Sequence, residues 1–246
     1  MLNKHRMEIP GVGPIEVVEV TDPESSLYKS VVKIYEDSFP ASEKEKVRSI
    51  AHWLRIGEEI YPNKYHMLAL VSLKEELRAL GFGTFHFLAK INSAFLGYLA
   101  VEKDSRNRGL GSVLFAEIED LLTIDAQANS KKPVLGIFTE LEKENPADPE
   151  TTERFRFWNK QNMKPLMLDW AYPPMYKRNE PANMYLAFCP HHNSPGRLTM
   201  KQAKEVCLAI YQSVYGCPDT DARLANVISS FKGRRWVPRF TVKAAS

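Results

Sequence analysis

The spacing of apolar residues divides this chain into alternating strands and helices. From Ile15 to Val20 polar and apolar positions alternate and Thr21-Asp22-Pro23 follows, which predicts a first short strand. Leu27, Val31, Ile34, Tyr35 and Phe39 fall near one helical face, and Pro40 stops that helix. Ser42 with Glu45 makes a Ser-x-x-Glu capping pattern that opens a second helix running to about Glu59. Tyr65 to Ser72, Leu80 to Ala89 and Ala94 to Val101 read as strands, the last two joined by a short Lys90-Ile91-Asn92 turn. A long helix follows from about Gly111 to Ala126, with Val113, Leu114, Ile118, Leu121 and Leu122 on its buried side. Pro133 to Leu141 is nearly continuous in apolar character, as a central strand requires. Thr152 to Asn162 reads as helix, and Lys164 to Ala171 and Met184 to Phe188 as closing strands. After the linker-like stretch from Cys189 to Gly196, the pattern predicts two further helices, Leu198 to Tyr215 and Ala222 to Phe231.

This order predicts a mixed α/β sheet with helices on both faces, spanning residues 1–190, and a helical extension over 191–246. The 246 residues fit one large domain with such an extension, and 44% hydrophobic with 26% charged residues is ordinary globular composition. A net charge of +3 is too small to argue for a nucleic-acid partner. No apolar run reaches the ~20 residues of a membrane helix, so no membrane partner is expected. Met1 to Gly13 carries Lys4 and Arg6 without an apolar core behind them, unlike a secretory signal. Cys189, Cys207 and Cys217 are odd in number, which fits free thiols in a reduced, cytoplasmic setting. Cys189, His191 and His192 lack the second ligand pair a zinc site needs, so no metal is expected.

Most of the chemistry is carried by the junction of the fourth predicted strand and the long helix. An apolar run ends at Val101, and Arg106-Asn107-Arg108-Gly109-Leu110-Gly111-Ser112 leads straight into the helix. The first turn of a helix has backbone N–H groups without intrahelical partners and partial positive charge from the dipole, which suits a phosphate. Gly109 and Gly111 let the backbone approach such a group closely, Arg106 and Arg108 add charge, and Ser112 adds a hydroxyl. The loop is neither a P-loop nor a full GxGxxG fingerprint.

Read as Leu99-Ala100-Val101, then Arg106, Gly109 and Gly111, this stretch resembles the LAVxxxxRxxGxG signature of the GNAT superfamily of N-acetyltransferases. The resemblance covers roughly residues 15–190. It implies a mostly antiparallel sheet flanked by helices, with splayed central strands, and acetyl-CoA as cosubstrate. It further implies that residues 106–112 hold the pyrophosphate and that Leu99 and Val101 offer backbone groups to the pantetheine arm. A backbone N–H near Leu99 would then polarise the thioester carbonyl. Lys160 could reach a phosphate or simply face solvent.

Members of the superfamily often carry FYxxxGF after the fifth strand, with the tyrosine as general acid. Here the stretch is Phe157-Trp158-Asn159-Lys160-Gln161-Asn162-Met163, so Trp158 replaces the tyrosine, and an indole N–H does not exchange protons near neutral pH. Tyr172 and Tyr176 flank Pro173-Pro174 and are the first alternatives for an acid, although aromatic packing is the commoner role. Glu140, with Glu142 on the same strand face, lies at a strand's carboxyl end and is the candidate base.

Two functions are consistent with these residues. One is transfer of an acetyl or other acyl group from coenzyme A to a primary amine, by direct attack in a ternary complex. The other is an acyl-CoA-binding module with little catalysis that acts through a partner. The acceptor could be a small molecule or a protein amine, and the extension could build a homodimer interface.

Overall fold

In the computed structural model, the described residues are 6–41, 43–57, 59–74, 78–130, 132–143, 145, 148–173 and 184–241. The architecture is a mixed α/β one, a mostly antiparallel sheet flanked by helices. The chain forms two compact units, residues 1–87 with 96–128, and residues 88–95 with 129–246.

The strands β1 (Arg6–Ile9), β2 (Gly13–Glu19), β3 (Lys64–Ser72), β4 (Ala79–Leu88) and β5 (Ser93–Val101) stand in that order and belong to the first unit except for Leu88 and the first three residues of β5. β1–β2, β2–β3 and β3–β4 are antiparallel. The side chains of β3 and β4 alternate between two covered faces. On one face lie α1 (Ser26–Ser38) and α2 (Val47–Arg55): Tyr35 packs edge-on to Phe82, and Trp53 edge-on to His86. The other face carries α3 (Leu110–Asn129), which lies close to the sheet because β4 has glycines beneath it. A Cβ on Gly83 would stand 2.9 Å from Ile118 Cδ1, and one on Gly81 3.2 Å from Leu114 Cδ1. Leu114, Phe115, Ile118, Leu121 and Leu122 are buried there, each contributing ~1.5–3 kcal/mol by leaving water. Val113, expected on that side, is only partly buried, and Phe115 takes its place.

The second unit contains β6 (Gly136–Glu142), α4 (Pro149–Lys160), β7 (Lys164–Pro165) and β8 (Met184–Pro190), with β8 antiparallel to both β6 and β7. It also contains β9 (Arg197–Thr199), α5 (Met200–Ser213), α6 (Ala222–Ser230) and β10 (Trp236–Pro238), β9 and β10 forming an antiparallel pair. Thr199 caps α5 in a reciprocal box with Gln202. Residues beyond 190 share one core with the strands: Phe138, Leu186 and Phe188 cluster with Val206, Ile210 and Phe231.

Several elements depart from the sequence pattern. β1, β9 and β10 have four residues or fewer, too short for alternation to register. The second helix begins only at Val47, behind an N-cap, Lys46, whose side chain makes no capping bond. Ser42 lies outside the described residues, so the expected Ser42–Glu45 cap does too. The strand expected over 164–171 is two residues long, because the N–H groups of Leu168 and Trp170 donate to carbonyls two residues back, those of Leu166 and Leu168, rather than to a neighbouring strand. There Leu166, Leu168, Trp170 and Tyr172 are buried as a loop.

Candidate functional site

β5 delivers the chain to the basic loop with its two faces in different surroundings. Tyr98 and Ala100 point into the core, whereas Gly97 is exposed and Leu99 and Val101 are half-buried. A short 3-10 turn, Lys103–Ser105, follows. Asn107 and Gly109 then take left-handed conformations at φ 62° and 82°. Asn tolerates that region and Gly occupies it freely. The carbonyl of Gly109 accepts from the N–H of Ser112 at 3.0 Å and of Val113 at 3.2 Å, so the N–H groups of Leu110 and Gly111 precede the helical ladder. A Cβ on Gly109 would meet nothing within 4 Å, so the loop opens outward at the helix N-terminus. Arg106, Asn107, Arg108 and Gly109 are exposed, Gly111 and Ser112 half-buried, and Leu110 has its side chain in the core.

The arginines are braced rather than loose. Arg106 Nε donates to the carbonyl of Val101 at 3.1 Å, and Arg108 donates to the carbonyl of Gly11. Each guanidinium has five N–H donors, so one internal bond leaves the remainder for an anion. Glu102, at the end of β5, is tied to Arg78 at 2.8 Å.

A second group of polar side chains lies in the same unit, on the α1/α2 face. The Tyr98 hydroxyl donates to the carbonyl of Glu43 (3.1 Å) and accepts from the N–H of Glu45 (3.0 Å), and Tyr35 donates to the carbonyl of Glu45 (2.9 Å). These bonds fix the segment between α1 and α2 over β5. Desolvation pushes the Glu45 carboxyl up to about 7, against the lowering effect of a hydrogen bond from Trp53. Trp53, Tyr65 and His86 pack against one another with ring centroids 4.8–6.2 Å apart. Burial holds His86 down at about 3, so it is neutral at ordinary pH.

In the second unit Glu140 is the most perturbed carboxylate: desolvation pushes it up to about 7, despite donors at both oxygens. Trp170 Nε1 reaches Oε1 at 2.7 Å and the Tyr215 hydroxyl reaches Oε2 at 2.6 Å. Tyr172 is buried, its ring edge-on to Tyr215 with centroids 5.8 Å apart. Glu142 pairs with Arg154 instead. Tyr176 lies outside the described residues.

Residues 28–126 match the model of the Acetyltransferase (GNAT) family, a span that contains β5, the loop and nearly all of α3. Over that span the chain is similar to the GNAT family. The protein named "Putative acetyltransferase YjbC" from Bacillus subtilis (strain 168) is 30% identical over 121 residues. That match covers 46% of this chain and 57% of that protein, so the chain spans little more than half the length of this curated relative. Among solved structures, a GNAT-family protein of Bacteroides thetaiotaomicron aligns with a TM-score of 0.61 at 20% identity, covering 82% of this chain and 99% of that one. Ard1 from Thermoplasma volcanium aligns at 0.50 and 18%, covering 72% and 97%. At these identities the two structures speak for the fold.

The sequence-named residues separate into two sets. Leu99, Val101 and residues 106–112 lie together in the first unit. Glu140, Tyr172 and Lys160 belong to the second unit, and Lys160 is exposed in the last turn of α4. Trp158 is half-buried against Phe157. Sequence reasoning missed Tyr215, whose partner Glu140 is 75 positions away, and saw Glu45 only as a helix cap. Among the described residues, no group of three or more His, Cys, Asp or Glu side chains could hold a metal ion, and no helix is long and apolar enough to cross a membrane.

Proposed function

We propose that this protein transfers an acyl group from acyl-coenzyme A, acetyl-CoA first among them, to a primary amine by direct attack in a ternary complex. One observation carries the reading: a left-handed glycine, open in front, placed at the N-terminus of α3 directly after two exposed arginines. These groups fit a pyrophosphate, since close backbone approach, unbonded N–H groups and guanidinium donors converge there. Arg106, Asn107, Arg108, Gly109, Leu110, Gly111 and Ser112 would hold it, and the half-buried edge of β5 at Leu99 and Val101 would run along the pantetheine arm. When bound, the cosubstrate supplies the thioester that the amine attacks.

The chain's own groups would manage charge and protons. A carboxyl near 7 is matched to accepting a proton at neutral pH, which supports Glu140 as the base. Tyr172 and Tyr176 stay as candidate acids, while Trp158 cannot act as one. A thiolate is tolerably stable at neutral pH, so transfer does not depend on a concerted acid.

Thermal unfolding with and without saturating acetyl-CoA tests the binding step. At a hundredfold excess over Kd the native state gains about 2.7 kcal/mol, and Tm rises by roughly 5–10 °C. Gly109→Trp and Arg106→Glu should each abolish the rise. A wild-type protein that does not respond would remove the main support for the assignment. Release of coenzyme A with an amine present separates an enzyme from a silent binding module. In that assay Glu140→Gln should lower kcat by about 10²-fold or more.

A further inference from the structure

Glu45 is a half-buried carboxylate with an unusual set of neighbours. Among the described residues no Lys, Arg or His pairs with it. The titratable and polar groups around it are Tyr28 and Tyr35 from α1, Trp53 from α2, Tyr65 from β3 and Tyr98 from β5, with His86 from β4 against Trp53. None of these is cationic at neutral pH, since His86 is held in its neutral form. A carboxylate drawn out of water costs several kcal/mol unless a positive charge compensates it. Among the described residues, the side-chain donor to this one is the Trp53 indole N–H.

The segment is nevertheless held firmly, with the Tyr35 and Tyr98 hydroxyls both spent on its backbone. A second observation points the same way. The Tyr65 hydroxyl is buried, faces Thr84 and makes no hydrogen bond of ordinary geometry among the described residues. Buried hydroxyls are normally satisfied, so this one, facing the Thr84 side chain, has capacity for a further bond. The side chains named around it are aromatic, and none is a second carboxylate. That chemistry disfavours a metal ion, which wants several oxygen ligands, and favours an organic ammonium resting against aromatic rings.

We propose that Glu45 is the specificity-determining residue that seats the acceptor's primary ammonium, with Trp53 and Tyr65 as its aromatic walls. The role rests on the acyltransferase reading, but the binding event can be tested without turnover. The ion pair needs ionised Glu45 and a protonated amine. A carboxyl at about 7 is mostly ionised at pH 8 and mostly protonated at pH 6, while a primary alkylamine stays protonated at both.

The experiment is calorimetric titration of the full-length protein with 2-phenylethylamine and, separately, with N-acetyl-lysine methylamide. The first stands for a small amine and the second for a protein lysine. Wild type should bind at least one of them saturably at pH 8 and about tenfold more weakly at pH 6. Glu45→Gln should lose at least tenfold in affinity at pH 8 and show no such pH dependence. Glu45→Asp keeps the charge and should retain the pH dependence. The tighter ligand then tells a small-molecule acceptor from a protein one. Absence of saturable binding of both by wild type overturns the proposal, as does unchanged affinity and pH dependence in Glu45→Gln. An acetyl-CoA-induced rise in Tm that persists in Glu45→Gln shows that the variant is folded. That same rise, present or absent in wild type, judges the acyltransferase reading separately.

Discussion

His66 is clamped between two carboxylates, Nδ1 at 2.6 Å from Glu19 Oε1 and Nε2 at 2.8 Å from Asp125 Oδ2. Both nitrogens can donate only when the ring is protonated. Burial pulls its pKa down, but the hydrogen bonds to Asp125 and Glu19 outweigh burial, so the net shift is upward from 6.5. A raised folded pKa contributes stability that is fully present below the unfolded value of about 6.5 and is lost as pH climbs through the folded value. Asp125, which also meets Lys64, is shifted the other way: burial raises it, but the bonds to His66 and Lys64 prevail. Its contribution is present above the unfolded carboxylate value and disappears as pH falls through the lowered one. Urea denaturation across pH 6 to 9 should therefore show wild type losing stability on the alkaline side, and His66→Gln losing less over the same window. Equal slopes for the two proteins would mean that His66 is neutral and bonded on one side only.

The glycines of β4 make a prediction at the level of packed elements. A Cβ at Gly81 would stand 2.9 Å from the carbonyl oxygen of Ala100, a backbone atom that cannot move without disturbing the β4–β5 ladder. At Gly83 the obstacle, at the same 2.9 Å, is Ile118 Cδ1, the far end of a side chain that can rotate. Gly81→Ala should cost about 1–3 kcal/mol and Gly83→Ala distinctly less, and Ile118→Val should relieve only the second. Melting temperatures of the three variants and the Gly83→Ala/Ile118→Val pair would show this. The same contrast explains what could be read from sequence. α1 and α3 were legible because Leu27, Val31 and Ile34, or Leu114, Ile118 and Leu121, repeat at helical spacing and are buried. The loop was legible because glycines and arginines adjacent in sequence act together in space. Glu140 was legible as a strand-end carboxylate and Glu45 as a helix cap, but their burial was not, since it comes with Trp53, Tyr65 and Tyr98 in one case and Trp170 and Tyr215 in the other. No local pattern encodes a desolvated carboxylate whose neighbours arrive from four or five separate elements.

Residues beyond 190 look detachable in the sequence, because a linker-like stretch precedes them. In the second unit, however, Leu198, Val206, Ile210, Val227 and Phe231 are fully buried in the cluster that contains Phe138, Leu186 and Phe188. The Tyr215 hydroxyl also supplies one of the two side-chain donors seen at Glu140, and Tyr211 donates to the carbonyl of Ala171. Removing this segment would return the Phe138 and Phe188 rings to water and leave Glu140 short of a donor. Each large apolar side chain so exposed costs about 1.5–3 kcal/mol, and a few of them match the 5–15 kcal/mol by which domains are stable. A chain ending at residue 190 should therefore bind a hydrophobic dye and lack a cooperative melt, whereas the full chain melts cooperatively. If the shortened chain melted sharply at an unchanged temperature, the segment would be an independent appendage and its contact with Glu140 dispensable. The expected collapse means instead that any variant in α5 or α6 must be read first as a change to the core beneath β6 and β8. Effects on Glu140 would then travel through Tyr215, so Tyr215→Phe is the variant that removes the hydroxyl while leaving the packing ring in place.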